Sequence, residues 1–582
     1  MKKKIDYDNW SKDELVKEIK RIKETTYGLV WHRDLPEEKI DILINPDART
    51  PSEMFPNEMA GKPFPVLKEV KAKAIETDKN KPTNILIEGD NYHSLAVLNF
   101  THEEAIDLIY IDPPYNIGNN DFTYNDKIQS GYVKKDDPFR HSKWLAFMEK
   151  RLKLSQKLLK NSGFIFISID DHEQAPLKML CDEIFREENF VANITIQGSA
   201  NESNEGVMFQ NVTEYLVCYA KNISVAKINK IDAVNEDLRS LNDAPSGLST
   251  RKQMGYTIYY NTKTQDIIPK IDYDVNGDFS KLDNIYKDDK ELLRNGYVAI
   301  RPKARNGVAW RWRWGMETLI ERKSELEFRQ NRNGDWVVEF GQSGFNAPRD
   351  YQEFGTGTAE LKKIFDGKEV FNKPKSTEFI KWILEVGASK SAVILDFFAG
   401  SGTTGHAVLN KNKEDGGNRQ FILCTNNENN ICTDVCYPRT EKVIKGYKNS
   451  KKEKIDGLGG NLKYFTAYDF VEAKETDRNK RKLVNQSTEM LCIKESAFEL
   501  VQEADDFKIF RNHDKYLGII FHEDSISDYK KAIKNIKGHF NTYTFSMTDD
   551  PHKEEFADVA DKVTLCAIPE VILKVYREIF KE

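Results

Sequence analysis

The sequence predicts an α/β fold: an open, mostly parallel sheet, interrupted by a long insertion and followed by a small C-terminal α/β or α+β module. Three observations predict it. Residues 84–111 read strand–helix–strand, the signature of a parallel βαβ unit. Two apolar runs, 106–111 and 393–398, stop abruptly at a polar and a glycine-rich turn, as buried parallel strands do. Between them, residues 222–370 lose the strand–helix rhythm and fill with Gly, Asn, Asp and Lys.

Bulk properties narrow the class. A chain of 582 residues is too long for one core and implies three or four domains. It is 39% hydrophobic and 31% charged, and no apolar run approaches the ~18–20 residues of a membrane span. The N-terminal Met-Lys-Lys-Lys leads into Asp6, Asp8 and Trp10 rather than an apolar signal core, so a cytoplasmic protein is expected. A net charge of −6 means that any nucleic-acid partner must meet a local basic surface. The seven scattered cysteines read as reduced thiols. Cys432 and Cys436 lack the further ligands a metal would need, so no metal is expected.

Taken in order, residues 1–82 read as a helical arm over 1–45 and a loose connection over 46–82. Ser11-Lys12-Asp13-Glu14 fits a capping box, with Leu15, Ile19 and Ile22 striping the following helix. Residues 83–221 form one half of the sheet. A strand at 84–91 ends at Gly89-Asp90, where Asp90 can cap the next helix. The 106–111 strand runs into Asp112-Pro113-Pro114-Tyr115-Asn116. The prolines remove two donors and stiffen the turn. Asp112 and the proline carbonyls offer acceptors, and Tyr115 offers a flat ring. That set suits an exocyclic amine on a stacked base.

Residues 117–140 are a long polar loop, a candidate substrate clamp. A helix over 142–161, with Trp144, Leu145, Met148 and Leu152 on its apolar side, is expected to break at Gly163. Strands are expected at 164–170, 190–196 and 212–219, with a helix through Cys181 and Phe185.

Within 222–370, Trp310-Arg311-Trp312-Arg313-Trp314 alternates with period two. On a strand, the tryptophans would face the core and Arg311 and Arg313 would face either DNA phosphate or solvent. Residues 371–447 rebuild the sheet. Lys375-Ser376-Thr377 opens a helix. The 393–398 strand, containing Asp396, then meets Ala399-Gly400-Ser401-Gly402-Thr403-Thr404-Gly405. Such glycines let backbone approach a ligand at a helix N-terminus, and alone they fit a dinucleotide or S-adenosylmethionine. His406 after Gly405 excludes a P-loop. Glu428 lies beyond the next strand, 421–425, where an acid can hold a ribose diol. Residues 448–480 read as a linker. The rest, 481–582, reads as strands near 507–510, 516–521 and 541–546, with helices at 526–537 and from Pro569.

Asp112-Pro113-Pro114-Tyr115 resembles the catalytic motif of amino-group DNA methyltransferases, in the form typical of adenine-N6 enzymes. With Phe398-Ala399-Gly400-Ser401-Gly402 as its partner motif, and the catalytic half first, the chain resembles the β class. The stretches 163–173 and 182–194 resemble modification subunits of type III restriction–modification systems. The resemblance implies a Rossmann-like, S-adenosylmethionine-dependent methyltransferase sheet with an inserted target recognition domain at 222–370 and a C-terminal assembly module at 448–582. It implies catalysis by Asp112, Pro113, Pro114 and Tyr115. It places the cofactor on Asp90, Lys375, Ser376, Asp396, Phe398, Ala399, Gly400, Ser401, Gly402, Thr403 and Glu428, with Arg311 and Arg313 as candidate DNA contacts. The implied partners are double-stranded DNA with a flipped adenine, a second copy of the chain and a separate restriction (helicase–nuclease) subunit, with no membrane. Cytosine-N4 methylation, a stand-alone methyltransferase and a non-catalytic specificity subunit stay open as alternatives.

Overall fold

The computed structural model describes residues 11–12, 15–16, 63–78, 80–118, 133–198, 211–229, 231–232, 238–279, 285–331, 333–340, 345–449, 451–472, 477–512, 515–546, 552–568 and 572. Most of the expected N-terminal helix, much of the 117–140 loop and the helix expected from Pro569 lie outside the described residues. The chain divides into two compact units, one of residues 1–229 with 349–582 and one of Lys230–Pro348. The insertion is therefore narrower than the 222–370 read from composition.

Among the described residues, ten strands build the main sheet of the larger unit: β1 (Pro63–Glu69), β2 (Thr83–Glu88), β3 (Ile106–Ile111), β4 (Leu159–Ile169), β5 (Phe190–Gln197), β6 (Thr213–Ala220), β7 (Tyr351–Glu353), β8 (Val393–Asp396), β9 (Gln420–Thr425) and β10 (Asn461–Glu472). Their order is β1-β10-β2-β9-β8-β3-β4-β6-β5-β7. Neighbours from β10 to β4 are all parallel. β6 runs antiparallel between β4 and β5, and β1 antiparallel to β10. The central strands are apolar because helices cover both faces. β3 buries every residue but Asp107. Asp107 is used at the foot of the sheet, accepting from Val393 N at 2.8 Å and from Lys160 Nζ at 2.8 and 2.9 Å.

The helices that matter for the site are α1 (Asn91–Thr101), α2 (Arg140–Leu158), α3 (Gln174–Phe185), α4 (Thr358–Ile364), α5 (Thr377–Gly387), α6 (Thr403–Asp415), α7 (Tyr437–Lys445) and α8 (Asp477–Glu495). Residues of α1, α2, α3 and α8 share one core with Ile85, Ile109, Ile165 and Ile167. α5 covers the opposite face, where Phe379 meets Tyr110 edge-on at 5.9 Å. No helix among the described residues is long and apolar enough to cross a membrane.

Three expectations are corrected here. Residues 46–82 and 448–480 are not simple connections, because each contributes a full strand, β1 and β10, to one edge of the sheet. Charged residues interleave with the buried Leu462, Tyr464, Phe465, Ala467 and Val471 of β10, which keep no single period. Gly163 does not break a helix. α2 ends at Leu158, β4 starts at Leu159, and a Cβ at Gly163 would lie 3.0 Å from Asp107 O, so glycine permits close approach of β3.

The C-terminal module is a sheet of β11 (Glu499–Glu503), β12 (Phe507–Asn512), β13 (Lys515–Ile520), β14 (His539–Thr544) and β15 (Val563–Cys566), in that order. Leu517, Ile519 and Tyr543 join the same core as Met490 and Ile493 of α8, so this module is continuous with the core of the main sheet.

The insertion, taken by itself, carries small sheets around a core that includes Tyr256, Ile258, Trp312, Trp314, Val338 and Phe340. The 310–314 segment is bent rather than a strand. Its successive amides bond to different segments, Trp312 N to Met254 O and Arg313 N to Leu241 O, both at 2.8 Å, so no ladder forms.

Candidate active site

The site lies where β8 and β3 run side by side, with Ile394 opposite Leu108 and Leu395 opposite Ile109. From β8 the chain moves to β9 on one side, and from β3 to β4 on the other. That is a topological switch point, where the carboxyl ends of strands diverge and leave a crevice. Asp112 leaves β3 at this edge, and the glycine loop leaves β8 beside it.

The turn after β3 is held on every side. Tyr115 OH donates to Asp112 Oδ1 at 2.9 Å and to Glu214 Oε2 of β6 at 3.2 Å. Lys375 Nζ donates to Tyr115 OH at 2.7 Å, lies 3.6 Å from Asp112 Oδ1 and bonds Glu214. Trp144 of α2 donates its indole N–H to the Pro114 carbonyl at 2.7 Å. Burial raises the Asp112 carboxyl above its ordinary value; Lys375 opposes this and Glu214 adds to it. Burial pulls the Lys375 ammonium down, but Asp112 and Glu214 hold it above its usual value. The result is an acceptor carboxylate beside an aromatic ring, with one cation between two acids.

The glycine loop is built on Asp396. Its Oδ1 accepts from Phe398 N at 3.0 Å and its Oδ2 from Thr404 Oγ1 at 2.5 Å. With both oxygens so engaged and only 2% of the residue exposed, Asp396 shapes the loop from within. Burial pushes its carboxyl up to about 7. Gly402 caps α6 in the left-handed region at φ +76°, and a Cβ there would lie 3.1 Å from Cys436 Sγ. Gly405 lets α6 sit close on β9, since its Cβ would meet Leu423 at 3.1 Å. Ala399 N donates to Cys424 O at 3.1 Å, and Ser401 Oγ pairs with Thr403 Oγ1 at 3.1 Å. Arg439 of α7 is fully buried behind the loop, donating to Thr403 Oγ1 at 2.7 Å and Ser401 Oγ at 3.1 Å. Thr403 Oγ1 also donates to the Lys375 carbonyl at 3.2 Å. Lys375 thus ties the glycine loop to the Asp112 turn.

Other residues singled out from the sequence fall as follows. Asp90 caps α1, accepting from Tyr92 N at 2.7 Å, and pairs with Arg151 at 3.2 Å. Its neighbour Asn91 donates to Phe397 O at 3.0 Å, so this turn abuts the end of β8. Ser376 caps α5 through Phe379 N at 3.3 Å. Phe398 packs beside Phe147 and Phe397. Glu428 is exposed at the start of a short 3-10 turn beyond β9. Arg311 and Arg313 belong to the other unit. Arg311 is buried, with its guanidinium on Ser246 Oγ at 3.0 Å and Trp312 O at 3.2 Å, contrary to the outward face expected of it. Arg313 is partly exposed and pairs with Asp243 at 3.1 Å.

Sequence reading missed Glu214, Arg439 and the polar role of Trp144. Glu214 lies in an unremarkable strand, and Arg439 looks like any helical arginine. Only the contact across the sheet gives them meaning.

This crevice, with its acidic diproline turn and glycine loop on adjacent strand ends, defines the class as a Rossmann-like α/β methyltransferase. The model of the DNA methylase family matches residues 106–436, more than half of the chain, and the chain belongs to that family. The chain is 34% identical over 398 residues to the type II methyltransferase M.KpnI of Klebsiella pneumoniae, covering 65% of this chain and 88% of that one. It is 30% identical over 400 residues to the type III restriction-modification enzyme EcoPI Mod subunit of Escherichia phage P1, covering 63% of this chain and 61% of that one. For the StyLTI Mod subunit of Salmonella typhimurium the figures are 31% over 392 residues, 62% and 55%. The chain thus spans 55–61% of the length of these two Mod subunits.

Proposed function

We propose that this chain transfers a methyl group from S-adenosylmethionine to adenine N6 at a specific site in duplex DNA, as the modification and specificity subunit of a type III restriction–modification system. The observation that carries the reading is the bonding of the Asp112–Tyr115 turn to the segment that also supports the glycine loop, through Lys375. A glycine-lined approach to the N-terminus of α6 suits a charged, ribose-bearing ligand. Phe398, Ala399, Gly400, Ser401, Gly402 and Thr403 would hold S-adenosylmethionine there, with Asp90 and Glu428 at the margins. When bound, it supplies an electrophilic methyl group.

The chain's own residues do the rest. The target adenine is unreachable while stacked, so it is extruded from the duplex. Tyr115 stacks on it, and Asp112 and the Pro113 carbonyl accept hydrogen bonds from its amine. Those acceptors draw the hydrogens out of the ring plane and free the nitrogen lone pair. Lys375 keeps Asp112 an acceptor despite burial. Positioning supplies much of the rate.

The insertion, Lys230–Pro348, reads the target sequence in this proposal, with Arg313 on phosphate. A second copy and a separate helicase–nuclease subunit complete the restriction complex, as the similarity to the Mod subunits suggests. The stand-alone reading has its own support in the coverage of M.KpnI. Cytosine-N4 enzymes of the family usually carry Ser at the place of Asp112, which favours adenine.

Single-molecule sequencing of DNA from cells expressing only this chain tests the reading. N6-methyladenine at one recurring sequence is expected, and its loss with Asp112→Ala. Tyr115→Ala is expected to weaken engagement of the extruded base by about 1–3 kcal/mol, while Tyr115→Phe keeps the stack. Methylated cytosine, or unchanged methylation with Asp112→Ala, would overturn the target or the mechanism respectively. ATP-dependent cleavage on adding a helicase–nuclease partner separates the type III role from a stand-alone enzyme.

A further inference from the structure

Asn116, immediately after the catalytic tyrosine, has no exposed surface and sits at φ +57°. Its Nδ2 donates to Glu173 Oε1 at 2.6 Å and to the Arg140 carbonyl at 3.3 Å. Glu173, at the N-cap of α3, is itself wholly buried. The same Oε1 accepts from His141 Nδ1 at 2.6 Å, while Arg140 Nε donates to His141 Nε2 at 3.1 Å. These contacts assign the imidazole proton to Nδ1 and make Glu173 the acceptor at the centre of a chain running from the start of α2 to the catalytic turn.

A buried carboxylate is costly, and an apolar pair would pack α2 against α3 as well. Glu173 is placed instead on the side chain of Asn116, the residue by which the chain leaves Tyr115. We propose that Glu173 is a positioning residue for methyl transfer: through Asn116 it holds the exit of the Asp112–Tyr115 turn, and with it the ring and carboxylate that hold the target base. The inference rests on the methyltransferase reading above. Trp144 fixes the Pro114 carbonyl from the same helix that carries His141, so the turn is anchored on α2 at two successive points. A displacement of about 1 Å in such a turn lowers rate on the order of a hundredfold while leaving a separate ligand cradle intact.

The test uses the full chain and a charge swap. Asn116→Asp sets a carboxylate against Glu173 and keeps a residue type that tolerates positive φ. Glu173→Gln keeps the shape and removes the charge. The double variant restores a carboxylate–amide pair with its polarity reversed. Single-turnover methylation, S-adenosylmethionine affinity by calorimetry and melting temperature are measured for each. Asn116→Asp is expected to lower the transfer rate about tenfold or more with cofactor affinity within about twofold, and the double variant to recover most of that loss. If the wild type methylates but Asn116→Asp matches it, or the double variant is no better than Asn116→Asp, the positioning role is overturned. If Glu173→Gln fails to fold, Asn116→Gly, which keeps the backbone and deletes the anchor, must show the same selective loss of rate. A wild type that does not methylate overturns the parent reading, and this inference with it.

Discussion

Lys375 donates to the Tyr115 hydroxyl at 2.7 Å, although 260 residues separate them in the chain. The ammonium sits between two carboxylates of opposite consequence for the site. Asp112 faces the crevice, and Glu214, on β6, both pairs with the cation and pushes Asp112 up.

Opposite pH shifts follow from that geometry. In the proposed mechanism the active form needs ionised Asp112, so activity is expected to fall on the acid side. Lys375→Met removes the cation that lowers the Asp112 pKa and is expected to move the acid limb to higher pH. Glu214→Gln removes a charge that raises it and is expected to move the limb to lower pH. Single-turnover rates across pH measure both; shifts in the same direction would sink the assignment of Asp112.

Gly402→Asp is expected to abolish binding of S-adenosylmethionine. The residue caps α6 at φ +76°, and any Cβ would press on Cys436. Left-handed backbone costs a side-chain-bearing residue about 1–2 kcal/mol, and the new carboxylate occupies the approach to the helix N-terminus. Calorimetry reads the loss; unchanged affinity would move the cofactor elsewhere.

Asp396 gives a stability signature. Its folded pKa of about 7 lies above the ordinary 3.8, so its contribution is fully present below the unfolded value and is lost as pH rises through about 7. The span corresponds to a loss on the order of 4 kcal/mol. Asp396→Asn is expected to flatten the fall of melting temperature between pH 4 and 7, relative to wild type. Parallel curves for the two proteins would refute it.

The two arginines of the insertion should separate cleanly. Arg313→Ala is expected to weaken DNA binding at all sequences and reduce the salt slope by about one. Arg311→Ala, which strips a buried donor from Ser246 and Trp312, should lower the melting temperature and leave the slope unchanged. Binding isotherms at several salt concentrations and a thermal melt decide it.

The central sheet was legible because strands buried on both faces are apolar along their length, as β3 and β8 are, and because each ends at a turn of special chemistry. β1 and β10 were not, since β1 lies at the edge of the sheet with β10 beside it, and both are mixed in composition. The 310–314 segment misled for a related reason. Alternation specifies a strand only when a neighbouring strand takes up the backbone bonds, and here Met254 and Leu241 take one each. In the site, the residues flanking turns were readable from local chemistry. Glu214, Glu173 and Arg439 were not, because a charge whose partners lie far along the chain has no local pattern and declares itself only through those partners.

The order of the sheet bears on how the protein is made. Strands from before and after the insertion interleave: β10 lies between β1 and β2, and β8 and β9 lie between β2 and β3. When β2 leaves the ribosome, both of its neighbours, which begin at Gln420 and Asn461, are still unmade. Its hydrophobic residues must wait with unpaired edges through synthesis of the whole insertion and much of the second half of the sheet. Non-local parallel pairing of this kind is slow and exposed to aggregation. Chaperone demand during translation should therefore peak before residue 472 is added and drop once β10 closes against β2.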